Sequence, residues 1–134
     1  MTDRLFVYGT LMSGSQHPMA LKLASSADHE GAARYNGRLY QVTHYPGVVA
    51  SDAPDEWVFG DVFALRDPNL LLALDRYEGC GPDAADPPEY RRLMQTVTLE
   101  SGSQVQASIQ AWVYVYNWPV DNLTRIVSGR FNVA

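Results

Sequence analysis

Cysteine is nearly absent from this sequence of 134 residues, in which Cys80 is the only one. Because no disulfide can form within the chain, we expect an apolar core to stabilise it, as in proteins of a reducing compartment. No apolar run approaches the roughly 20 residues of a membrane-spanning helix. Asp3 and Arg4 precede only a short apolar run, which is not typical of a signal peptide. We therefore expect a cytoplasmic protein with no membrane partner.

Positive charge is also scarce, since 10 Lys and Arg residues stand against 15 Asp and Glu residues, for a net charge of -5. The basic residues form no stripe, which argues against a nucleic-acid partner. None of the three histidines, His17, His29 and His44, has metal-ligand spacing to another histidine or to Cys80. The chain also lacks a phosphate-binding glycine loop, a dinucleotide fingerprint and a serine elbow.

What the sequence does contain is the apolar content of a globular protein, 46% of residues. Its length fits one domain over residues 1–134. Short β-branched and aromatic runs dominate, and they predict strands over residues 5–8, 38–42, 57–65, 90–99 and 105–115. Pro46-Gly47 and Ser101-Gly102 are typical of turns. With a short helix over residues 18–24, the pattern predicts one mixed or antiparallel sheet that is curled or closed.

A second helix is predicted over residues 68–78. Asp67 is a good N-cap, and Pro68 suits the first helical position. Apolar residues then recur at helical spacing, and Gly79 is a natural stop. The residues from 81 to 89 form an acidic, proline-rich loop that is too short to link domains, and a mobile flap is one interpretation of it.

Glu78 is the first candidate for chemistry. Helical spacing places it on the same face as Leu71 and Leu74. Burial there, and the negative end of the helix dipole, would both raise the pKa of its carboxyl group toward the range of an acid–base catalyst. The alternative is a solvated glutamate on a frayed helix end, because most glutamates are exposed.

The second candidate is the turn formed by Tyr8, Gly9, Thr10 and Leu11. A strand that ends in glycine can turn sharply and present successive backbone N–H groups to a ligand. Such donors suit a carboxylate or a developing oxyanion. An ordinary strand-to-loop turn is the alternative.

Three further features have plainer interpretations. Cys80 as a nucleophile would need a nearby base, so an ordinary thiol is favoured. Asp75 is expected in a surface ion pair with Arg76 or Arg91. The aromatic residues Trp112, Tyr114 and Tyr116 lie on the strand face opposite Val113 and Val115, where they either pack in the core or line a pocket.

Several motifs, taken in order, resemble the gamma-glutamyl cyclotransferase-like, or AIG2-like, proteins, from about residue 5 to residue 131. They are Val7-Tyr8-Gly9-Thr10-Leu11-Met12, Gly37-Arg38-Leu39-Tyr40, Tyr45-Pro46-Gly47-Val48, Leu74-Asp75-Arg76-Tyr77-Glu78-Gly79, Tyr90-Arg91-Arg92 and Trp112-Val113-Tyr114-Val115-Tyr116.

The resemblance implies an α+β fold, a small mixed β-barrel of five to six strands with flanking short helices. It implies Glu78 as the catalytic residue, and Tyr8, Gly9, Thr10 and Leu11, with Tyr114, as substrate-binding residues. Residues 81–88 look longer and more acidic than in a minimal family member, which leaves the preferred substrate side group open.

The family reaction converts a gamma-glutamyl amide into 5-oxoproline and a free amine through attack by the substrate's own α-amino group. It needs no metal or cofactor. A small-molecule gamma-glutamyl substrate is the implied partner, and the protein is expected to be a monomer or a homodimer. Two alternatives stand beside it: a non-catalytic protein of the same fold that binds a small metabolite, and an enzyme that acts on a different amide.

Overall fold

The structure is a computed structural model that describes residues 3–9, 18–43, 45–67, 69–78, 86–100 and 106–131, without the side chains of residues 18–20, 24 and 106. Within these residues the chain forms seven strands and two helices. In order they are β1 (Asp3–Val7), α1 (Pro18–Ser26), β2 (Ala27–Gln41), β3 (Pro46–Ala50), β4 (Trp57–Leu65), α2 (Leu70–Tyr77), β5 (Tyr90–Glu100), β6 (Gln106–Tyr116) and β7 (Thr124–Ile126).

The strands close into a mixed barrel. The order β1-β4-β2-β3-β6 is completed by a second pairing between β6 and β1. The pairs β1–β6 and β3–β6 are parallel, whereas β1–β4, β2–β4 and β2–β3 are antiparallel. β5 pairs along the length of β6 and also meets β2, and β7 adds to β2. The predicted fold, a small mixed barrel with flanking short helices, is confirmed.

Two apolar clusters lie on opposite faces of the barrel strands, because alternate residues of a strand point to opposite sides. On β1, Phe6 belongs to a cluster built from strand residues and from Tyr8, which we call the barrel core. Leu5 and Val7 belong instead to a cluster that includes Leu23 of α1 and the buried leucines of α2, which we call the helix-side core. On β6, Val113 joins the barrel core, while Tyr114 and Tyr116 join the helix-side core.

The predicted elements differ from the structure mainly in β2 and β3. Residues 38–42 were expected as a short strand, but β2 begins at Ala27 and includes a bulge between His29 and Gly31. The segment 27–37 is polar and rich in small residues, so it lacks the apolar alternation that predicts strands. Pro46-Gly47, interpreted as a turn, opens strand β3, where a first-position proline needs no ladder N–H.

The helix predicted over residues 68–78 spans Leu70–Tyr77, and its N-cap is Asn69, so the prediction of Asp67 as N-cap was wrong. The Asp67 carboxylate accepts a hydrogen bond from the Asn69 N–H at 3.0 Å. A capping side chain at Asn69 would instead accept one from an N–H two or three residues after Asn69. Pro68 lies outside the described residues. Neither helix in the described part of the chain is long and apolar enough to cross a membrane.

Candidate functional site

Tyr8 follows β1, and its side chain is buried in the barrel core. Its hydroxyl donates to the backbone carbonyl of Tyr114 at 2.6 Å. Burial raises the pKa of the Tyr8 phenol well above its ordinary value, and the nearby Glu78 carboxylate raises it further. A backbone hydrogen bond from Val48 opposes these effects. The phenol therefore stays protonated, and it remains a hydrogen-bond donor.

Gly9 comes next and lies against the first residue of β3. A Cβ atom built at Gly9 would lie 2.9 Å from Cγ of Pro46, closer than side-chain atoms normally approach. Only glycine fits this contact without displacing the proline, which explains why the turn predicted at Tyr8-Gly9 needs this residue. Thr10 and Leu11, the other predicted members of the turn, lie outside the described residues.

Glu78 is the C-cap of α2, and its backbone N–H donates to Leu74 O at 2.8 Å. Its side chain is partly buried. Burial, followed by repulsion from Glu89, raises the pKa of the Glu78 carboxyl to about 8. No described residue donates a hydrogen bond to this carboxyl or forms an ion pair with it. An unpaired carboxyl with such a pKa is present in both protonation states near neutral pH.

Glu89 precedes β5 and is held on several sides. Its carboxylate accepts a hydrogen bond from the hydroxyl of Tyr45 at 2.6 Å, and its backbone carbonyl accepts one from Asn117 N at 2.7 Å. Asn117 and Trp118 also donate to the carbonyls of the two prolines before it, at 3.0 and 2.9 Å. Burial, and then the bond to Glu89, raises the pKa of Tyr45 to about 12. Glu89 is thus a fixed negative charge beside Glu78.

Two further tyrosines connect these groups to β3. The hydroxyl of Tyr90 donates to Pro46 O at 2.6 Å, and the rings of Tyr90 and Tyr116 meet edge to face, 5.3 Å between centroids. The Tyr116 ring covers Gly47, where an added Cβ would lie 2.8 Å from the ring. Burial raises the pKa of Tyr90, and the nearby Tyr8 and Glu78 raise it further.

The structure therefore brings together Tyr8, Glu78 and Tyr114, which the sequence places far apart. Tyr114 lies on the helix-side core, where its ring is buried and its hydroxyl donates to Asp75 Oδ1 at 2.7 Å. Asp75 forms its ion pair with Arg92, at 2.7 Å, instead of the expected Arg76 or Arg91. The pair is largely buried, so the expectation of a surface ion pair was wrong. Cys80 lies outside the described residues.

Sequence reasoning did not select Glu89, Tyr45 or Tyr90 as candidates. Tyr45 and Tyr90 stood inside motifs that carry the family resemblance, which was a usable signal. Glu89 had none, because it sits at the end of an acidic loop and its contact with Tyr45 joins residues 44 positions apart. Among the described residues, no group of three or more His, Cys, Asp and Glu side chains is arranged to hold a metal ion.

The fold and the site define a class of small mixed barrels with a glutamate, unpaired among the described residues, close to a buried tyrosine that is followed by glycine. The family model described as "Gamma-glutamyl cyclotransferase, AIG2-like" matches residues 5–133. The chain belongs to this family.

Two curated relatives carry family-level names. The gamma-glutamylcyclotransferase family protein ytfP of Citrobacter rodentium (strain ICC168) is 37% identical over 133 residues, which covers 96% of this chain and 94% of that protein. The protein YtfP of Escherichia coli (strain K12) is 35% identical over 129 residues, which covers 94% of this chain and 93% of that protein.

Solved structures agree with this assignment. The solution structure of ytfP from Escherichia coli has a TM-score of 0.60 at 32% identity and covers 95% of this chain and 94% of that chain. The crystal structure of an AIG2-like protein from Mus musculus has a TM-score of 0.64 at 24% identity, covers 85% of this chain and 76% of that chain, and shows the likeness of fold alone.

Proposed function

We propose that this protein is a cyclotransferase that releases 5-oxoproline and a free amine from a gamma-glutamyl amide. The observation that carries the proposal is the Glu78 carboxyl, which is unpaired among the described residues and has a pKa of about 8. A group with a pKa near the working pH is well suited to accept a proton and return it. Family membership supports this class of reaction.

In the proposed reaction the substrate's α-amino nitrogen attacks its own γ-carbonyl carbon. A new C–N bond closes the five-membered lactam ring, and the original amide C–N bond breaks. Because the nucleophile belongs to the substrate, the protein mainly holds a folded-back conformer, and such orientation can contribute about 7–11 kcal/mol to lowering a barrier. No nucleophilic side chain is needed.

Glu78 supplies the proton transfers in this scheme. Its carboxylate takes a proton from the attacking nitrogen, and the resulting carboxylic acid delivers one to the leaving nitrogen. The backbone N–H groups at Gly9, Thr10 and Leu11 are the proposed donors to the substrate carboxylate or to the oxyanion. Tyr8 is proposed to contact the substrate with its phenol, whose single proton is already donated to the Tyr114 carbonyl. Tyr114, through its carbonyl, orients the Tyr8 hydroxyl.

The decisive experiment is a panel of gamma-glutamyl amines, dipeptides and longer peptides assayed for 5-oxoproline, with wild-type protein and Glu78→Gln. We expect turnover of at least one amide, and a loss of at least about 10²-fold in kcat for Glu78→Gln with little change in substrate affinity. Glu56→Gln is the matched control, since the Glu56 carboxylate is paired with two arginines away from this site.

Other results would point elsewhere. Full 5-oxoproline release by Glu78→Gln would remove the catalytic role of that residue. If no member of the panel is turned over but one binds, the protein is a small-metabolite-binding protein of this fold. Release of an amine without 5-oxoproline would indicate an enzyme that acts on a different amide.

A further inference from the structure

Helix α2, which carries Glu78 at its end, has little of its own to fix its position. It is eight residues long, and the side chain of its N-cap, Asn69, makes no capping hydrogen bond. A helix this short is not stable alone in water and depends on tertiary contacts. Its buried side chains, Leu70, Leu71 and Leu74, give it an apolar face, but apolar contacts are not directional. They hold the helix against the barrel, with Leu74 buried in its last turn, but a directional contact there must come from polar groups.

Asp75 provides the directional contact. Its two carboxylate oxygens accept hydrogen bonds from Nε and Nη2 of Arg92, at 2.7 and 3.1 Å. The Tyr114 hydroxyl donates to the same Oδ1 at 2.7 Å. Bidentate contacts of this kind are strong and geometrically specific. The side chains are only 15% exposed at Asp75 and 22% at Arg92, so water screens the pair weakly.

Arg92 and Tyr114, which bind the Asp75 carboxylate, belong to adjacent paired strands of the sheet. Arg92 and Tyr114 are opposite each other in the register of β5 and β6, so the carboxylate is gripped by neighbouring side chains of one sheet. The Arg92 guanidinium also stacks over the Trp112 ring, 4.4 Å from its centroid. The guanidinium plane is thus fixed by the sheet as well as by Asp75.

Tyr114 also makes a contact through its backbone. Its backbone carbonyl accepts the hydrogen bond from the Tyr8 hydroxyl at 2.6 Å. One residue therefore holds both Tyr8 and, through Asp75, the helix that carries Glu78. Asp75 lies three residues before Glu78, which is about one helical turn.

We propose that Asp75, Arg92 and Tyr114 form a positioning network that fixes the last turn of α2, and with it the Glu78 carboxyl, relative to Tyr8. In this proposal its members act through Glu78 and Tyr8 instead of by contact with the substrate, which replaces the substrate-binding role that the family resemblance implies for Tyr114. Its members are positioning residues for the proton transfers assigned to Glu78, so the inference rests on the proposed function. A purely structural ion pair is the competing explanation, and it would affect folding stability without affecting the site.

Tyr114→Phe is the cleanest test, because it removes the hydroxyl that binds Asp75 and keeps both the ring and the carbonyl that binds Tyr8. We expect kcat to fall about 10- to 100-fold, as for a slightly misplaced catalytic group, with KM nearly unchanged. The pKa of Glu78 should fall toward its ordinary value, because a looser helix end admits water. A ¹³C NMR titration of the carboxyl measures this shift, and the substitution itself changes no charge.

Asp75→Asn is the second variant, since it breaks the ion pair but leaves an oxygen for Tyr114. The double variant should lose no more activity than the worse single variant, because both changes disable one network. The controls are Tyr35→Phe, which removes a buried hydroxyl that binds Gln95 at 2.8 Å, and Glu30→Gln, which breaks the ion pair with Arg4 at 2.6 Å. Neither should change kcat or the pKa of Glu78.

Two results would overturn the positioning role. One is a lower melting temperature for Tyr114→Phe and Asp75→Asn with kcat and the Glu78 pKa unchanged, which would show a structural ion pair only. The other is a loss of kcat that both controls reproduce. If wild-type protein turns over no amide, the proposed function fails. The NMR titration still decides the positioning role, and an unshifted Glu78 pKa in Tyr114→Phe refutes it.

Discussion

Two glutamates, Glu56 and Glu78, carry pKa shifts of opposite sign. Glu56 accepts a hydrogen bond from the Ser51 hydroxyl and pairs with Arg38 at 2.8 Å and Arg125 at 3.1 Å. The bond from Ser51, and then that from Arg38, lowers the pKa of the Glu56 carboxyl. Glu78 has no such partner among the described residues, and its pKa is raised to about 8.

The difference lies in both the partners of the two carboxyls and the burial that acts on them. The side chain of Glu56 is only 13% exposed, and its burial also acts to raise its pKa, but donors and cations outweigh that effect. At Glu78 burial is the largest cause of the shift and acts without opposition, and Glu89 adds a like charge. A structural carboxylate is thus distinguished from a candidate catalytic one by whether the protein compensates its charge.

The largest expected effect concerns the stability of the protein against pH. Glu78 binds its proton more tightly in the folded state, so its contribution to stability is complete below its unfolded pKa, near 4.5, and is lost as pH rises through about 8. The free energy of unfolding of wild-type protein should therefore decrease over this window relative to Glu78→Gln, by up to ~5 kcal/mol. Urea unfolding at a series of pH values measures the difference.

Glu56→Gln serves as the comparison in the same experiment. Because the Glu56 carboxylate keeps its charge throughout this window, its replacement should leave the slope of stability against pH as in wild-type protein. Parallel curves for wild-type protein and Glu78→Gln would mean that Glu78 does not carry a raised pKa.

Glu89→Gln should have the next largest effect, on the pH–rate profile. Removing the like charge lowers the pKa of Glu78, so the limb of kcat/KM set by this group should move to lower pH. Burial is the larger cause of the shift at Glu78, so the pKa should stay above its ordinary value. The glutamine can still accept the bond from Tyr45. A limb that stays in place, as we expect for Glu30→Gln, would contradict the coupling.

Much of the site could be predicted from local sequence. The spacing of Leu71 and Leu74 placed Glu78 on a buried face, and both leucines are buried in the structure. The raised pKa followed from that burial. The helix dipole, also invoked, is not among the causes at Glu78, whereas Glu89 is. Glu89 lies 11 positions after Glu78, at the end of the proline-rich segment, and no periodic pattern in the sequence relates the two residues. Their proximity depends on the tertiary fold.

The fold shows the same division between local and long-range information. Strand β4 was predicted with the bounds it has, because apolar residues fill both of its faces. Strand β3 was missed because Pro46 and Gly47 favour turns by themselves. Its existence depends on partners distant in sequence, since it pairs with β2, meets β6 at Val48 and Val115, and packs Gly47 under the Tyr116 ring.

The smallest expected effect comes from Glu56→Gln, which should change the stability slightly and leave the candidate site as it is. The change removes the charge that pairs with Arg38 and Arg125. Because both arginine side chains are well exposed, these ion pairs contribute little, so the melting temperature should fall slightly at neutral pH. The carboxylate's own contribution is present above its unfolded pKa and lost as pH falls through its lower folded value, so the deficit should vanish in acid. Thermal unfolding against pH measures both effects.

In Glu56→Gln the pKa of Glu78 and the pH–rate profile should not move, because Glu56 is not among the charges that act on Glu78. A shift as large as that of Glu89→Gln would show that the two glutamates are not independent, and that the local supply of partners does not explain their difference.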